Sequence, residues 1–257
     1  MGILNATPDS FSDGGKFRSA KDAIAQAELM IKNGVDLIDI GGESTRPGAE
    51  PVELQEELDR VLPVIGALKD CGVPLSIDTY KAETMRQALH AGVDCVNDIW
   101  ALRQTGALEA VMESRDCGIV LMHMQRDPLT MQFNPEYQDI ITEVRQFLKD
   151  RAQLLISKGI SSDRIAIDPG FGFGKSLQHN LNMLAHFADF STLGLPVLAG
   201  ISRKSMIGKI TGKDTNERVA PSIAAAIMAA DRGAQIVRVH DVPETVDALK
   251  LWEAINT

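Results

Sequence analysis

Asp78, Asn97 and Asp168 each close a short apolar run, and together they offer two carboxylates and one amide. An ionised carboxylate only accepts hydrogen bonds, whereas an amide both donates and accepts. That set suits a flat heterocycle with an amino group and a ring N–H on one edge, such as a pterin or a guanine-like ring. A divalent cation is the rival use of two carboxylates, because oxygen-ligated metals need no fixed sequence spacing. A second set is cationic: Arg46, Arg203, Lys204, Arg238 and His240. Arginine forks match phosphate oxygens two at a time. Arg238 and His240 are two apart in an extended run, so both side chains leave one face.

These residues need elements to bring them together. Gly34, Gly72, Gly92, Gly118, Gly159, Gly194 and Gly233 each follow a helix-like segment and precede a short apolar run. Glycine supplies the left-handed position that stops a helix. With Gly2 to Asn5 added, the runs make eight strands rich in β-branched residues and leucine, as strands buried on both faces must be. Between them the period is helical: Leu54, Leu58, Val61, Ile65 and Leu68 form one stripe, and Ile141, Val144, Leu148, Ala152 and Leu155 another. Ser19 to Asp22 reads as the capped start of the first helix.

Strand and helix alternate eight times over 257 residues with no linker, which predicts an α/β fold, a (β/α)8 TIM barrel in one domain spanning residues 1–257. An open doubly wound sheet is the competing architecture. Barrel active sites lie at the C-terminal ends of the strands. Those ends are Asn5, Asp39, Asp78, Asn97, His123, Asp168, the stretch Ser202 to Ser205, and Arg238 with His240. Capping of the following helix explains any one such residue. Eight polar ends around one rim favour a site. Ser202 to Ser205 falls where the seventh helix should begin, and a helix N-terminus there welcomes a carboxylate or phosphate.

Three polar, glycine-rich connections follow strands one, two and six. The last, Pro169 to Ser176, resembles a phosphate-binding P-loop but has proline where that motif needs its first glycine. It reads as a flexible rim loop carrying Phe173 toward the site. Packing of Phe171 and Phe173 in the core is the alternative.

Lys+Arg 26 against Asp+Glu 35 leaves a net charge of −9, no footprint for nucleic acid or an anionic membrane. Hydrophobic residues at 44% exclude a disordered chain. Cys71, Cys95 and Cys117 lack zinc spacing, which favours reduced thiols in the cytoplasm. Neither a signal peptide nor an apolar run long enough to span a bilayer is visible.

At these residues the sequence closely resembles the dihydropteroate synthase family. The matching stretches are MGILNATPDSFSDGG at 1–15, DIGGESTRPGA at 39–49, SIDTYK at 76–81, NDI at 97–99, LMHMQ at 121–125, DPGFGFGK at 168–175, GISRKSMIG at 200–208 and RVHDV at 238–242. They cover essentially the whole chain. The resemblance implies a cytoplasmic, homodimeric (β/α)8 enzyme, of a family that sulfonamide inhibitors target, that joins 4-aminobenzoate to dihydropterin-CH2 diphosphate. It implies that Asp78, Asn97, Asp168 and Lys204 hold the pterin and that Arg238 flanks its ring. Thr45, Arg46, Arg238 and His240 match diphosphate contacts, and Asn5 matches a magnesium-linked asparagine. Ser205 would receive the aminobenzoate carboxylate, with Phe11, Pro47, Phe173 and the Lys204 stem around its ring.

Arg46, Lys204, Arg238 and His240 are accordingly the expected catalytic groups, stabilising charge as diphosphate leaves. Departures from the family pattern are Ala6 in place of valine, Arg126 and Pro221. Family members also carry residues before this Met, including part of strand one. A related methyltransferase-type pterin barrel or a noncatalytic pterin-binding barrel are the other readings. Intact SRK, RVH, TPDSF and STRP segments weigh against both.

Overall fold

Alternation decides which strand residues face the barrel axis, and the axis is where this chain places its polar ends. The computed structural model describes residues 1–6, 15–44 (15–19 as backbone alone), 49–128, 130–131 and 133–256. Its strands are β1 (Gly2–Asn5), β2 (Ile38–Gly41), β3 (Leu75–Asp78), β4 (Cys95–Asp98), β5 (Gly118–Met122), β6 (Ile165–Asp168), β7 (Leu198–Ala199) and β8 (Ile236–Val237). Parallel pairing joins β1 through β6 in order, and β7 pairs with β8. Two parallel bridges close the ring: Ile167 with Val197 before β7, and Gly2 with Val239 after β8. Ile3 N donates to Val239 O at 2.9 Å at that second seam. The sheet is therefore a closed barrel, and the open alternative is excluded.

The helices are α1 (Gly15–Lys32), α2 (Leu54–Leu68), α3 (Ala82–Ala91), α4 (Ala107–Met112), α5 (Ile140–Ser157), α6 (Leu177–Ala185), α7 (Ala188–Ser191), α8 (Ser205–Thr211), α9 (Val219–Asp231) and α10 (Val242–Asn256). Leu58, Val61, Ile65 and Leu68 of α2 are buried as the stripe predicts, while Leu54, its first residue, is exposed. Asp139 caps α5 by accepting from Ile141 N and Thr142 N, a contact worth about 1 kcal/mol.

Several boundaries differ from the sequence reading. Helix α1 begins at Gly15, so Ser19 lies inside it rather than at its cap. Gly118 opens β5 and is absent from the positive-φ glycines, so it stops no helix; α4 has already ended at Met112. Two helices, α8 and α9, follow β7 where one is expected. Pro221 is third in α9, a position whose N–H has no acceptor within the helix, so proline loses nothing there. Arg126 adopts φ 63° and donates to Phe133 O at 2.7 Å, which ties off the turn after β5.

The interior is layered by the two-residue period. Met1, Leu37, Cys95, Val120, Ala166, Leu198 and Ile236 form an apolar plug. Two residues further along the same strands come Ile3, Asp39, Asn97, Met122, Asp168, Gly200 and Arg238. The bottom of the barrel is thus sealed by hydrophobic contact, and the next layer brings Asp39, Asn97, Asp168 and Arg238 to the interior. The strand register also aligns Asn5 with Gly41, Gly41 with Asp78, and Asp78 with Asn97.

Candidate active site

That register row defines the site. Asn5, Asp78 and Asn97 stand side by side with the bare backbone of Gly41 between the first two. A Cβ at Gly41 would lie 3.7 Å from Asp78 Cβ and 3.9 Å from Asn5 Oδ1, so glycine keeps this part of the mouth open.

Beneath the row sits Asp39, 0% exposed. Its Oδ2 accepts from Arg238 Nε at 2.6 Å and from Asn97 Nδ2 at 3.0 Å. A carboxylate offers only acceptors, so Asp39 dictates which way the Asn97 amide turns. One N–H of that amide is spent on Asp39, and the carbonyl oxygen and second N–H remain. Arg238 Nη2 reaches across to Asp78 Oδ2 at 2.7 Å. Asp78 Oδ1 is buried without a donor among the described residues, an acceptor open to a ligand. Burial pushes the Asp78 pKa from 3.8 up to about 7, with Arg238 opposing and Asp39 adding to the rise. For Arg238 burial works against the charge, but Asp39 and Asp78 overcome it and hold the guanidinium above its ordinary pKa.

Asp168 faces this pair from β6. Its Oδ1 accepts from Gly170 N at 2.7 Å, which orients the carboxylate, and burial raises its pKa against the pull of Lys204. Lys204 donates to Phe171 O and lies 4.4 Å from the Phe173 ring centre. Burial lowers the Lys204 pKa to about 8, with Asp168 opposing. Phe171 is fully buried, whereas Phe173 is half-buried and packs against the cluster of Ile99, Met122, Met124 and Met131.

The connection after β6, expected to be flexible, is pinned throughout. Gly172 N donates to Asn180 Oδ1 at 2.7 Å, and Gly174 O accepts from Tyr137 at 2.9 Å. Lys175 Nζ lies inside it, 2.9 Å from His123 Nδ1. His123 therefore points into the protein, and burial holds its pKa well below the ordinary value.

His240 packs on Ser202, its Nδ1 3.0 Å from Ser202 Oγ. Ser205 is exposed as the first residue of α8. Arg203, expected among the rim cations, adopts φ 58° and pairs with Asp241 through both Nε and Nη2, so its charge is already met. Phe11, Thr45, Arg46 and Pro47 lie outside the described residues. The base of the loop carrying the last three is anchored: Glu43 accepts from Lys81, from Tyr80 at 2.9 Å and from Val52 N at 3.1 Å. Sequence reasoning missed this anchor and the Lys175 contact. Asp39 was visible as a strand end, but its partners were not.

Among the described residues no three His, Cys, Asp or Glu side chains cluster to cage a metal. Magnesium often takes only one or two protein oxygens and the rest from substrate phosphates and water. A lone amide oxygen at Asn5, beside the gap left by Gly41, fits that mode of binding.

Residues 1–240 match the family described as pterin binding enzyme. The chain is 51% identical over its whole length to the dihydropteroate synthase of Neisseria meningitidis serogroup C, covering 92% of that protein. The Yersinia pestis dihydropteroate synthase, solved in complex with a sulfonamide drug, superposes with a TM-score of 0.95 at 48% identity, covering 100% of this chain and 93% of that one. The Burkholderia cenocepacia enzyme, complexed with 7,8-dihydropteroate, gives 0.91 at 52% identity, with 100% and 90% covered. Polar side chains placed by β1 to β4, β6 and β8 and near-complete alignment with these proteins lead to one assignment: the chain belongs to the dihydropteroate synthase family of pterin-binding enzymes.

Proposed function

We propose that this chain is the transferase that joins (7,8-dihydropterin-6-yl)methyl diphosphate to 4-aminobenzoate, giving 7,8-dihydropteroate and diphosphate in folate biosynthesis. The observation that carries the reading is the Asp78–Asn97 row facing Asp168, with one buried Asp78 oxygen left for a ligand donor. Asp78, Asn97 and Asp168 take the amino and N–H edge of the pterin. Lys204 and Arg238 flank the ring, and Lys204 supplies a cation beside it.

The bond between the pterin methylene and the diphosphate oxygen breaks, and the aminobenzoate nitrogen forms the new bond to that carbon. The nitrogen then sheds a proton to solvent. An electron-rich dihydropterin spreads the positive charge left on the methylene, which favours a dissociative course. The arylamine is already neutral at pH 7, so no strong base is required. The buried, inward-facing His123 is consistent with that economy.

Asn5, Thr45, Arg46, Arg238 and His240 hold the diphosphate. Two carboxylates already share Arg238, so most of the protein's charge for the leaving group falls to Arg46. Magnesium, held by Asn5 together with the diphosphate, would supply further positive charge to the leaving group. Ser205 receives the aminobenzoate carboxylate at the start of α8, with Phe11, Pro47, Phe173 and the Lys204 stem around the ring. Sulfonamides compete at that subsite, by analogy with the Yersinia pestis complex. A cytoplasmic homodimer completes the reading, and sedimentation tests the assembly state. Among the described residues no helix is long and apolar enough to cross a membrane.

The decisive assay measures diphosphate release and dihydropteroate formation with both substrates and magnesium. Coupled formation of both products is expected. Release without dihydropteroate, or neither product, would overturn the assignment.

A further inference from the structure

Lys175 is 3% exposed and has no part in the chemistry above, yet its amine meets three partners. Nζ lies 2.9 Å from His123 Nδ1, 3.3 Å from His123 O and 3.0 Å from Phe173 O. Those partners satisfy the amine in either protonation state. An ammonium donates three N–H bonds to two carbonyls and a bare ring nitrogen. A neutral amine donates two and accepts from Nδ1–H. No carboxylate comes within salt-bridge distance of Lys175 among the described residues, and Asp168 acts on its charge only from further off, so the contacts of the amine tie backbone segments together.

The segments it ties are the end of β5 and the turn after β6. Gly170 and Gly174 bring these backbones too close for a side chain: a Cβ would sit 2.0 Å from His123 O at the first and 2.7 Å from Gln125 Cβ at the second. Phe173 lies between them, its carbonyl held from below by Lys175 and its ring facing Lys204 at 4.4 Å. The carbonyl two residues earlier, Phe171 O, is taken by Lys204. Two lysines thus staple one short turn, and the half-buried Phe173 ring it carries rests against Lys204 and the cluster of Ile99, Met122, Met124 and Met131. Tyr137 adds a milder staple through Gly174 O.

We propose that Lys175 is a positioning residue for the aminobenzoate half of the reaction, fixing Phe173 as the wall against which that ring packs. The proposal rests on the substrate assignment given above. It is tested in the full-length enzyme with Lys175→Met, which keeps the chain length and removes every hydrogen bond, alone and combined with Phe173→Leu. The expected result is a rise of about tenfold in the 4-aminobenzoate KM, with pterin Kd changed less than about twofold. In the Phe173→Leu background, Lys175→Met should add almost nothing to that KM, the coupling a shared contact requires.

Tyr137→Phe, which deletes only one hydroxyl, should raise the same KM about twofold to threefold and lose its effect in the same background. It keeps the test open if Lys175→Met does not fold. Additive effects, or equal losses of pterin and aminobenzoate affinity, would overturn the positioning role. Failure of the wild-type enzyme to make dihydropteroate would instead overturn the substrate assignment.

Discussion

Asp39 holds Arg238 from beneath the site: the buried carboxylate accepts the guanidinium Nε at 2.6 Å and contacts no solvent. The same oxygen fixes the Asn97 amide, so one side chain orients both Arg238 and Asn97. Asp39→Asn should therefore damage both. Removing one partner of a buried ion pair costs about 3–5 kcal/mol, and the lower end applies here because Asp78 still pairs with Arg238. Urea unfolding and pterin titration check this together. Unchanged stability and unchanged pterin Kd would show that Asp39 supports neither neighbour.

Asp78 should make pterin binding pH-dependent. Its carboxyl must be ionised to accept donors on both oxygens, and burial has raised its pKa to about 7. Affinity should rise with pH up to that value, with proton release, and level off above it. The folding sign is opposite. The folded carboxyl binds its proton more tightly than the unfolded one, so apo-protein stability from this group falls as pH rises from 3.8 toward 7. Asp78→Asn should weaken pterin binding by about 1–3 kcal/mol and flatten the profile. Calorimetry in buffers of different ionisation heat measures both, and a pH-dependent variant would refute the assignment.

The barrel was legible because its signals are local. An apolar run ended by Asp or Asn, after a glycine with positive φ, needs only a dozen residues to read, and Gly34, Gly92 and Gly159 behave as read, whereas α2 has ended at Leu68 before Gly72. Gly118 misled because Cys117 N is satisfied by Ser114 Oγ in a turn, not by a helix end. The candidate site residues Asp78, Asn97 and Asp168 were legible as the polar ends of apolar runs. Arg203 was not, because its left-handed backbone turns the side chain to Asp241, a partner 38 residues away. The Lys175 tie was hidden for the same reason: it joins residues 52 apart, and glycine content suggested a loose loop where the glycines in fact permit close backbone approach.

Charge at the leaving group should be separable from ring recognition. Arg46→Ala is expected to lower kcat far more than it weakens pterin binding, as is chelation of magnesium. Arg46 lies outside the described residues, but Arg238 is shared by Asp39 and Asp78 and has little charge to spare. Pre-steady-state turnover alongside equilibrium binding of the pterin makes the comparison. Equal loss of binding and turnover would argue against a leaving-group role.

Gly170 and Gly172 separate the two reasons for glycine in the turn after β6. Both have positive φ, 73° and 79°, so alanine at either one costs backbone strain of about 1–3 kcal/mol. Their surroundings differ. A Cβ at Gly170 would meet the His123 carbonyl at 2.0 Å, and a backbone oxygen in a strand-end hydrogen-bond network cannot retreat. A Cβ at Gly172 would meet Lys204 Cδ at 3.2 Å, a flexible stem that can yield a few tenths of an ångström. Gly170→Ala should therefore destabilise the fold well beyond the strain alone, since the turn must lift from β5 and break the Lys175 tie. Gly172→Ala should cost only the strain but disturb catalysis, because the stem it pushes carries the Lys204 amine toward the proposed pterin site. Urea midpoints paired with aminobenzoate and pterin kinetics distinguish the two, and equal stability losses would mean that close approach to His123 does not explain Gly170.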